Sequence, residues 1–335
     1  MILKRLLNGI GKTLSALVIA LFAAWAALAL LIVQPKADFL PAALAIGFSL
    51  LALVALFSIF SGRWRKLALP AYLLAGVGIL SWWSALEPSN TRDWQEDVAV
   101  LPYATIHGDE VTIHNIRNFT YRSEYDYTPG YYDKTFNLNQ LQGVDLVSVY
   151  WMGPAIAHVF LSFDFSDGQH LAISIETRKE KGEGYSTLNG FFRQYELYYV
   201  VADERDVIGL RTNYRQDPPE DVYLYRVEGS KEHARNLFME YLARINELKA
   251  APEFYNSLTT NCTTSIWASS RVNEQHVPFN WKILASGYVP QYLYEQGRLA
   301  GAAESFGTLQ NKALINGKAH AAGISPDFSK VIRQP

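Results

Sequence analysis

A second cysteine is missing from this sequence: Cys262 stands alone among 335 residues. No intrachain disulfide can form, and in an oxidising compartment the thiol is free by arithmetic. Basic runs are also missing from residue 84 onward, where 23 Lys and Arg face 31 Asp and Glu. That net-acidic stretch excludes a nucleic-acid footprint, which needs clustered bases to displace counterions from phosphates. Acid is scarce at the other end, where residues 1–83 hold seven bases and Asp38 as the single acid. No internal repeat is found, so a solenoid is set aside.

Long apolar stretches are present in compensation. Leu14–Val33 is a 20-residue run without charge, and at 1.5 Å per residue it matches a hydrocarbon core of about 30 Å. Phe39–Phe60 is a second run and Leu67–Trp83 a third, ending in Trp82 and Trp83, which suit the membrane–water interface. Three transmembrane helices, at about 14–33, 39–60 and 67–83, are expected. A cleaved signal peptide is the alternative for the first run, but its apolar stretch is long for that role and two further spans follow.

Bases set the orientation, because short cytoplasmic loops are enriched in Lys and Arg. Lys4, Arg5 and Lys12 place the N-terminus inside. The Gln34–Asp38 connection has one base and one acid, whereas Ser61–Lys66 has three bases in six residues. The third span then delivers everything beyond about Ser84 outside the cytoplasm. A bacterial inner membrane protein with a periplasmic C-terminal part is the expected localisation.

After a polar linker at 84–97, aromatic and β-branched residues mark a mixed domain over 98–301, and a polar, small-residue tail at 302–335 reads as partly disordered. Strands are expected at Val111–Ile116, Asp145–Trp151, Glu196–Val201, Asp206–Thr212 and Asp221–Val227. Tyr121–Tyr132, with Pro129-Gly130 inside it, reads as a loop or a sheet edge. An amphipathic helix from Lys231 to Lys249 follows Ser230 as its cap, and a second helix starts near Asn261 with Cys262 in its first turn.

The clearest pattern is a hairpin. Ala157, Val159, Leu161, Phe163 and Phe165 are apolar at odd positions, and Leu171, Ile173 and Ile175 take the odd positions of the returning strand. Odd must face odd, which requires a three-residue loop, Ser166-Asp167-Gly168, with Gly168 left-handed. That register pairs Phe165 with Gln169 and hence His158 with Glu176.

A thiol in the first turn of a helix feels unpaired N–H groups and the positive end of the helix dipole, which favour thiolate. Such a thiol needs a base, and the base an orienting partner. Cys262, His158 and Glu176 form the candidate triad, with Asp164 and His170 as a rival pair nearer the turn. Against this stand plain readings: a lone cysteine is most often an inert buried residue, a strand histidine is more often structural, and Glu176 with Arg178 can be a solvated face.

Six ordered blocks carry a family resemblance: Asn115–Tyr121, Ala157–Phe163, Ser174–Glu180, Glu204–Asp206, Pro252–Tyr255 and Asn261–Thr264. Together they resemble the family named for the N-terminal periplasmic domain of Lnb, over about residues 110–300. The resemblance implies an α+β fold in which three N-terminal transmembrane helices precede a permuted papain-like, NlpC/LRAT-like domain with an antiparallel sheet packed on helices. Under it Cys262 and His158 take the roles of nucleophile and base and Glu176 the third role. The same blocks supply Arg178, Asn261 and Tyr121 as supporting or substrate-binding residues.

The expected activity is thiol acyl transfer through a Cys262 thioester, from a phospholipid to an amine such as a lipoprotein N-terminus. A cysteine peptidase or amidase acting on cell-wall peptides uses the same triad with water as acceptor, and a non-catalytic envelope sensor or scaffold is the third reading. None of these requires a cofactor or a metal ion. The expected partners are the bilayer and a phospholipid or lipoprotein substrate.

Overall fold

The computed structural model describes residues 2–33 and 39–334; the Gln34–Asp38 connection used for orientation lies outside them. Two units are distinguished, one comprising residues 1–88 with 186–194 and the other 89–185 with 195–335.

In the first unit three helices, α1 (Ile2–Val33), α2 (Phe39–Ser61) and α3 (Arg65–Ser84), are each long and apolar enough to cross a membrane. Their outward faces carry large apolar side chains such as Leu17, Leu21, Leu50 and Leu74, exposed as a lipid solvent permits. Small residues let the helices approach. Ala26 and Ala55 are fully buried, and Gly76 lies where a Cβ would come 2.9 Å from the Phe22 ring. Trp25 and Trp83 meet at 5.1 Å, and the Arg193 guanidinium donates to the Trp83 carbonyl at 2.7 Å.

The second unit is built on one eight-stranded sheet. Its strands are β1 (Tyr103–His107), β2 (Glu110–Arg117), β5 (Tyr131–Asn137), β6 (Leu141–Tyr150), β7 (His158–Phe165), β8 (His170–Arg178), β9 (Glu196–Ala202) and β10 (Asp221–Arg226). Between β2 and β5 lies a small ribbon of β3 (Thr120–Tyr121) and β4 (Tyr127–Thr128), so the tyrosine-rich stretch is loop, ribbon and sheet strand in turn. The strand order is β1-β2-β9-β8-β7-β6-β10, with β5 also on β2; pairing is antiparallel except for a parallel contact of Arg117 with Ala202.

Odd positions of the β7–β8 hairpin face one core, closed by α5 (Lys231–Ala250), whose Ala234, Phe238, Tyr241, Leu242, Ile245 and Leu248 are buried at helical spacing. Phe163 meets Phe238 at 4.8 Å and Tyr241 at 5.7 Å; Phe238→Ala would cost about 3–5 kcal/mol. Even positions face a second core containing Phe160, Ala172 and Tyr198, so the sheet is the middle of three layers.

Two elements differ from the sequence reading. Asp206–Thr212, expected as a strand, is helical: α4 (Glu204–Gly209), capped by Asp203, runs into a π-helical turn at Leu210–Tyr214. Among the remaining short helices, α6 (Cys262–Ser270), α7 (Trp281–Leu284) and α8 (Val289–Glu295) sit beside the first core. The tail, expected to be partly disordered, folds as α9 (Phe306–Ala313), α10 (Asn316–Ala322) and α11 (Phe328–Val331). It buries Ile315, Ala319, Phe328 and Ile332 in the second core. Arg333 anchors it by ion pairs to Asp145 and Glu204, both at 2.7 Å.

Candidate active site

Asn261 starts the cysteine helix. Its side-chain oxygen accepts from the backbone N–H of Thr263 and Thr264 at 3.0 and 2.9 Å, and the Thr264 hydroxyl accepts from the Asn261 N–H at 3.0 Å. This capping box makes Cys262 the first helical residue. The Thr263 hydroxyl donates to the Ile283 carbonyl at 2.6 Å, which fixes the helix start against α7. Asn261 is therefore a helix cap.

The hairpin has the expected register at its turn, but its ladder ends before it reaches His158 and Glu176. Phe165 and Gln169 pair at the turn, where Gly168 is left-handed at φ 80°, and the ladder runs through Asp164–His170 to Leu161–Ile173. Beyond Leu161 the strands stop pairing: β7 continues on β6 to His158–Val149, and β8 continues on β9 to Arg178–Glu196. The helix α6 packs against both strands, and its first residue meets the histidine at this unzipped end.

Side-chain contact between His158 and Glu176 runs chiefly through a residue the sequence reading left in the background. His158 Nε2 lies 2.7 Å from the Ser174 hydroxyl, which donates to Glu176 Oε1 at 2.8 Å, whereas Nε2 and Oε1 are 3.5 Å apart. A hydroxyl has one proton, and here it goes to the carboxylate. Ser174 must then accept from Nε2–H, leaving Nδ1 as the nitrogen that takes the thiol proton.

Glu176 is held from behind by Arg211, at 3.2 Å, from the π-helical turn; Arg211 also reaches Glu220 at 3.5 Å, and Glu220 pairs with Arg215 at 3.1 Å. Burial pushes the Glu176 carboxyl up, but hydrogen bonding to His158 and the charges of Arg211, His158 and Arg117 hold it well below the usual carboxylate range. Burial and the charge of Arg211 pull His158 down, yet its hydrogen bonds to Cys262 and Glu176 raise it above an ordinary imidazole. Burial pushes the Cys262 thiol up, while the hydrogen bond and charge of His158, with the N–H groups of Val159 and Thr263, bring it below an ordinary thiol. These opposite displacements favour a thiolate–imidazolium pair.

The other candidates occupy different places. Arg178 is buried, donating to the carbonyls of Val98 at 2.9 Å and Ala99 at 2.8 Å and stacking on Trp94 at 4.4 Å. It clamps the linker to the sheet. The Tyr121 hydroxyl donates to Asp206 at 3.1 Å, and Asp206 also takes Arg117 at 2.7 Å and the Phe119 N–H at 2.7 Å. A bulge between Ile113 and Ile116, with Asn115 left-handed at φ 62°, precedes Arg117 on the strand and re-aims it. Asp164 and His170 pair at 3.2 Å beside Arg226 at 2.8 Å. Sequence reasoning missed Ser174 and Arg211 as site residues; the even-position alternation on β8 carried a signal for the first, and nothing local carried one for the second. Among the described residues no group of three or more His, Cys, Asp or Glu side chains could hold a metal ion.

Residues 127–287 match the family model described as the Lnb N-terminal periplasmic domain, and this stretch carries Cys262, His158, Ser174, Glu176 and Arg211. No curated protein and no solved structure matches the chain. The spans and the domain together describe an inner membrane protein with a periplasmic C-terminal domain.

Proposed function

Starting from an Lnb-type periplasmic domain preceded by three membrane spans, we propose that this protein is a membrane-anchored thiol acyltransferase. Lipoprotein N-acylation is the reaction class it suits. The observation that supports it is the Cys262 thiol at a capped helix start, hydrogen-bonded to a histidine whose other nitrogen is held by Ser174 and Glu176.

The thiolate attacks the carbonyl of an acyl ester, a C–S bond forms and the C–O bond breaks. The leaving alcohol takes its proton from the His158 imidazolium. An amine then attacks the thioester, a C–N bond forms, and the C–S bond breaks to return the thiolate while the amine proton passes to His158. The Val159 N–H beside the sulfur, on the edge where β7 and β8 no longer pair, is the nearby donor for the developing oxyanion.

Full-length protein exposed to phospholipid vesicles and rapidly denatured should carry a hydroxylamine-labile acyl group on Cys262, and transfer to an amine acceptor should release it. Cys262→Ala should carry none. Release to water alone, with peptide amides cleaved and no acyl group retained, would replace the proposal by a cysteine amidase. Full transfer activity in Cys262→Ala would reject thiol chemistry.

A further inference from the structure

Arg211 is buried between Glu176 and Glu220, and its Nε has no hydrogen-bond partner among the described residues. Its aim at Glu176 is therefore set by two carboxylates and by the backbone that carries it. That backbone is the π-helical turn Leu210–Tyr214, whose last carbonyls need donors from outside the helix.

A donor comes from α10 in the tail. His320 Nε2 lies 2.5 Å from the Thr212 carbonyl, and since a carbonyl only accepts, Nε2 carries the proton. Asn213 Nδ2 donates back to the Ala319 carbonyl at 3.4 Å. At the start of α10, Asn316 Oδ1 accepts the Val222 N–H and Asn316 Nδ2 donates to the Glu220 carbonyl, both at 2.8 Å. The Ile315 N–H adds a bond to the Val222 carbonyl at 2.9 Å. One short helix thus grips the backbone on both sides of Arg211, at the turn that bears it and at Glu220, its second carboxylate. Asn316 and His320 lie beyond the stretch 127–287 that matches the family.

We infer that Asn316 and His320 are positioning residues for the Cys262 site, holding Arg211 on Glu176 through the π-helical turn and Glu220. This rests on the acyltransferase reading of that site. Neither residue touches the reacting atoms; they act on the orientation and charge around His158. A misplacement of about 1 Å in such a support can cost about a hundredfold in rate. It also has a sign. His158 is faced by Cys262 and Glu176, which raise it, and by Arg211, whose charge pulls it down. A guanidinium released from the site lets the imidazolium survive to higher pH, whereas loss of Glu176 acts the other way.

The test uses full-length protein and two readouts. One is acyl loading of Cys262 from vesicles of dihexadecanoyl phosphatidylglycerol. The other is labelling by iodoacetate, an anion that reacts fastest beside an imidazolium, so that its alkaline limb reads the His158 proton without any acyl donor. His320→Ala and Asn316→Ala should each lower kcat for loading about ten- to hundredfold with KM unchanged. Both should move the limb to higher pH, as Arg211→Gln does and opposite to Glu176→Gln. His320→Gln, which keeps an N–H for Thr212, should restore both readouts, and Asn316→Ala keeps the test decisive if His320→Ala fails to fold. Arg333→Ala, which loosens the tail at its other end, should leave both as in the wild type. Wild-type behaviour in both alanine variants, or the same changes in Arg333→Ala, would overturn the inference. Wild-type protein that takes no acyl group would overturn the acyltransferase instead, and the iodoacetate limb would still decide the role of α10.

Discussion

The β7–β8 hairpin carries a histidine–carboxylate pair at each end, and only one of them meets a thiol. Near the turn, Asp164 and His170 sit inside a fully paired ladder. Burial pushes Asp164 up, but His170 and Arg226 hold it at about 2. The Arg226 on which it depends continues through Asp145 at 2.8 Å to Arg333, so this end is spent on fastening the tail. At the open end the backbone pairing lapses and α6 brings Cys262 to His158. The same residue types in one register thus do two jobs, and the difference is whether the backbone leaves a place for a third group.

The largest expected contrast between the ends is in activity. His158→Ala should lower acyl transfer by about 10²–10⁴-fold, the ordinary worth of a general base, whereas His170→Ala should change it by less than about twofold. Equal losses in the two variants would erase the distinction. The reverse contrast is expected in stability. Arg333→Ala leaves Asp145 and Glu204 buried without that partner and should cost about 3 kcal/mol, read as a lowered Tm, while iodoacetamide labelling of Cys262 keeps its rate. Acid sharpens this end further. Burial pushes Glu204 up but Arg333 holds it at about 2, beside Asp164 at about 2. Both are depressed carboxylates, so their stabilisation is present above the ordinary carboxylate value of about 4 and is lost as pH falls toward about 2.

A smaller effect should separate the members of the orienting chain. Ser174→Ala removes the hydroxyl between His158 and Glu176, and a hydrogen bond to a charged group is worth enough to lower transfer about ten- to hundredfold. Ser174→Thr, which keeps the hydroxyl, should restore most of it. Unchanged activity in Ser174→Ala would make Glu176 the direct partner.

The finest test is the pH profile of alkylation. Because Cys262 lies below an ordinary thiol, the wild-type rate should climb to its plateau below the ordinary value of about 8.5. In His158→Ala only burial and the backbone donors act on the sulfur, so the climb should move to higher pH. In Glu176→Gln the histidine loses a group that raises it, so the imidazolium should be lost at lower pH than in the wild type. Superimposable profiles in all three would dissolve the ion pair.

Several of these features are legible in the sequence because they obey short-range rules. Alternation at period two and a three-residue loop with Gly168 suffice to set the hairpin register from Phe165–Gln169 to Leu161–Ile173. Asn261 with Thr264 suffices to start the helix at Cys262. Other features escape such rules. Asp206–Thr212 reads as a strand from Val207, Ile208 and Thr212, but Asp203 caps a helix there, Arg117 claims Asp206, and burial on the sheet outweighs β propensity. The tail spreads its anchors, Ile315, Phe328 and Ile332, too widely for a periodic signal. Arg178 shares a strand face with Glu176, yet it points at the carbonyls of Val98 and Ala99.

By itself, then, the sequence determined three membrane spans, their orientation, the hairpin register and a thiol at a helix start, since each depends on hydrophobic period, charge placement or capping within a few residues. Only the tertiary structure decided that β7 and β8 part beyond Leu161, that Ser174 carries the contact between His158 and Glu176, and that Arg211 stands behind Glu176. The last of these joins residues 35 positions apart in the chain, and what brings them together is the burial of both sheet faces, which no local pattern encodes.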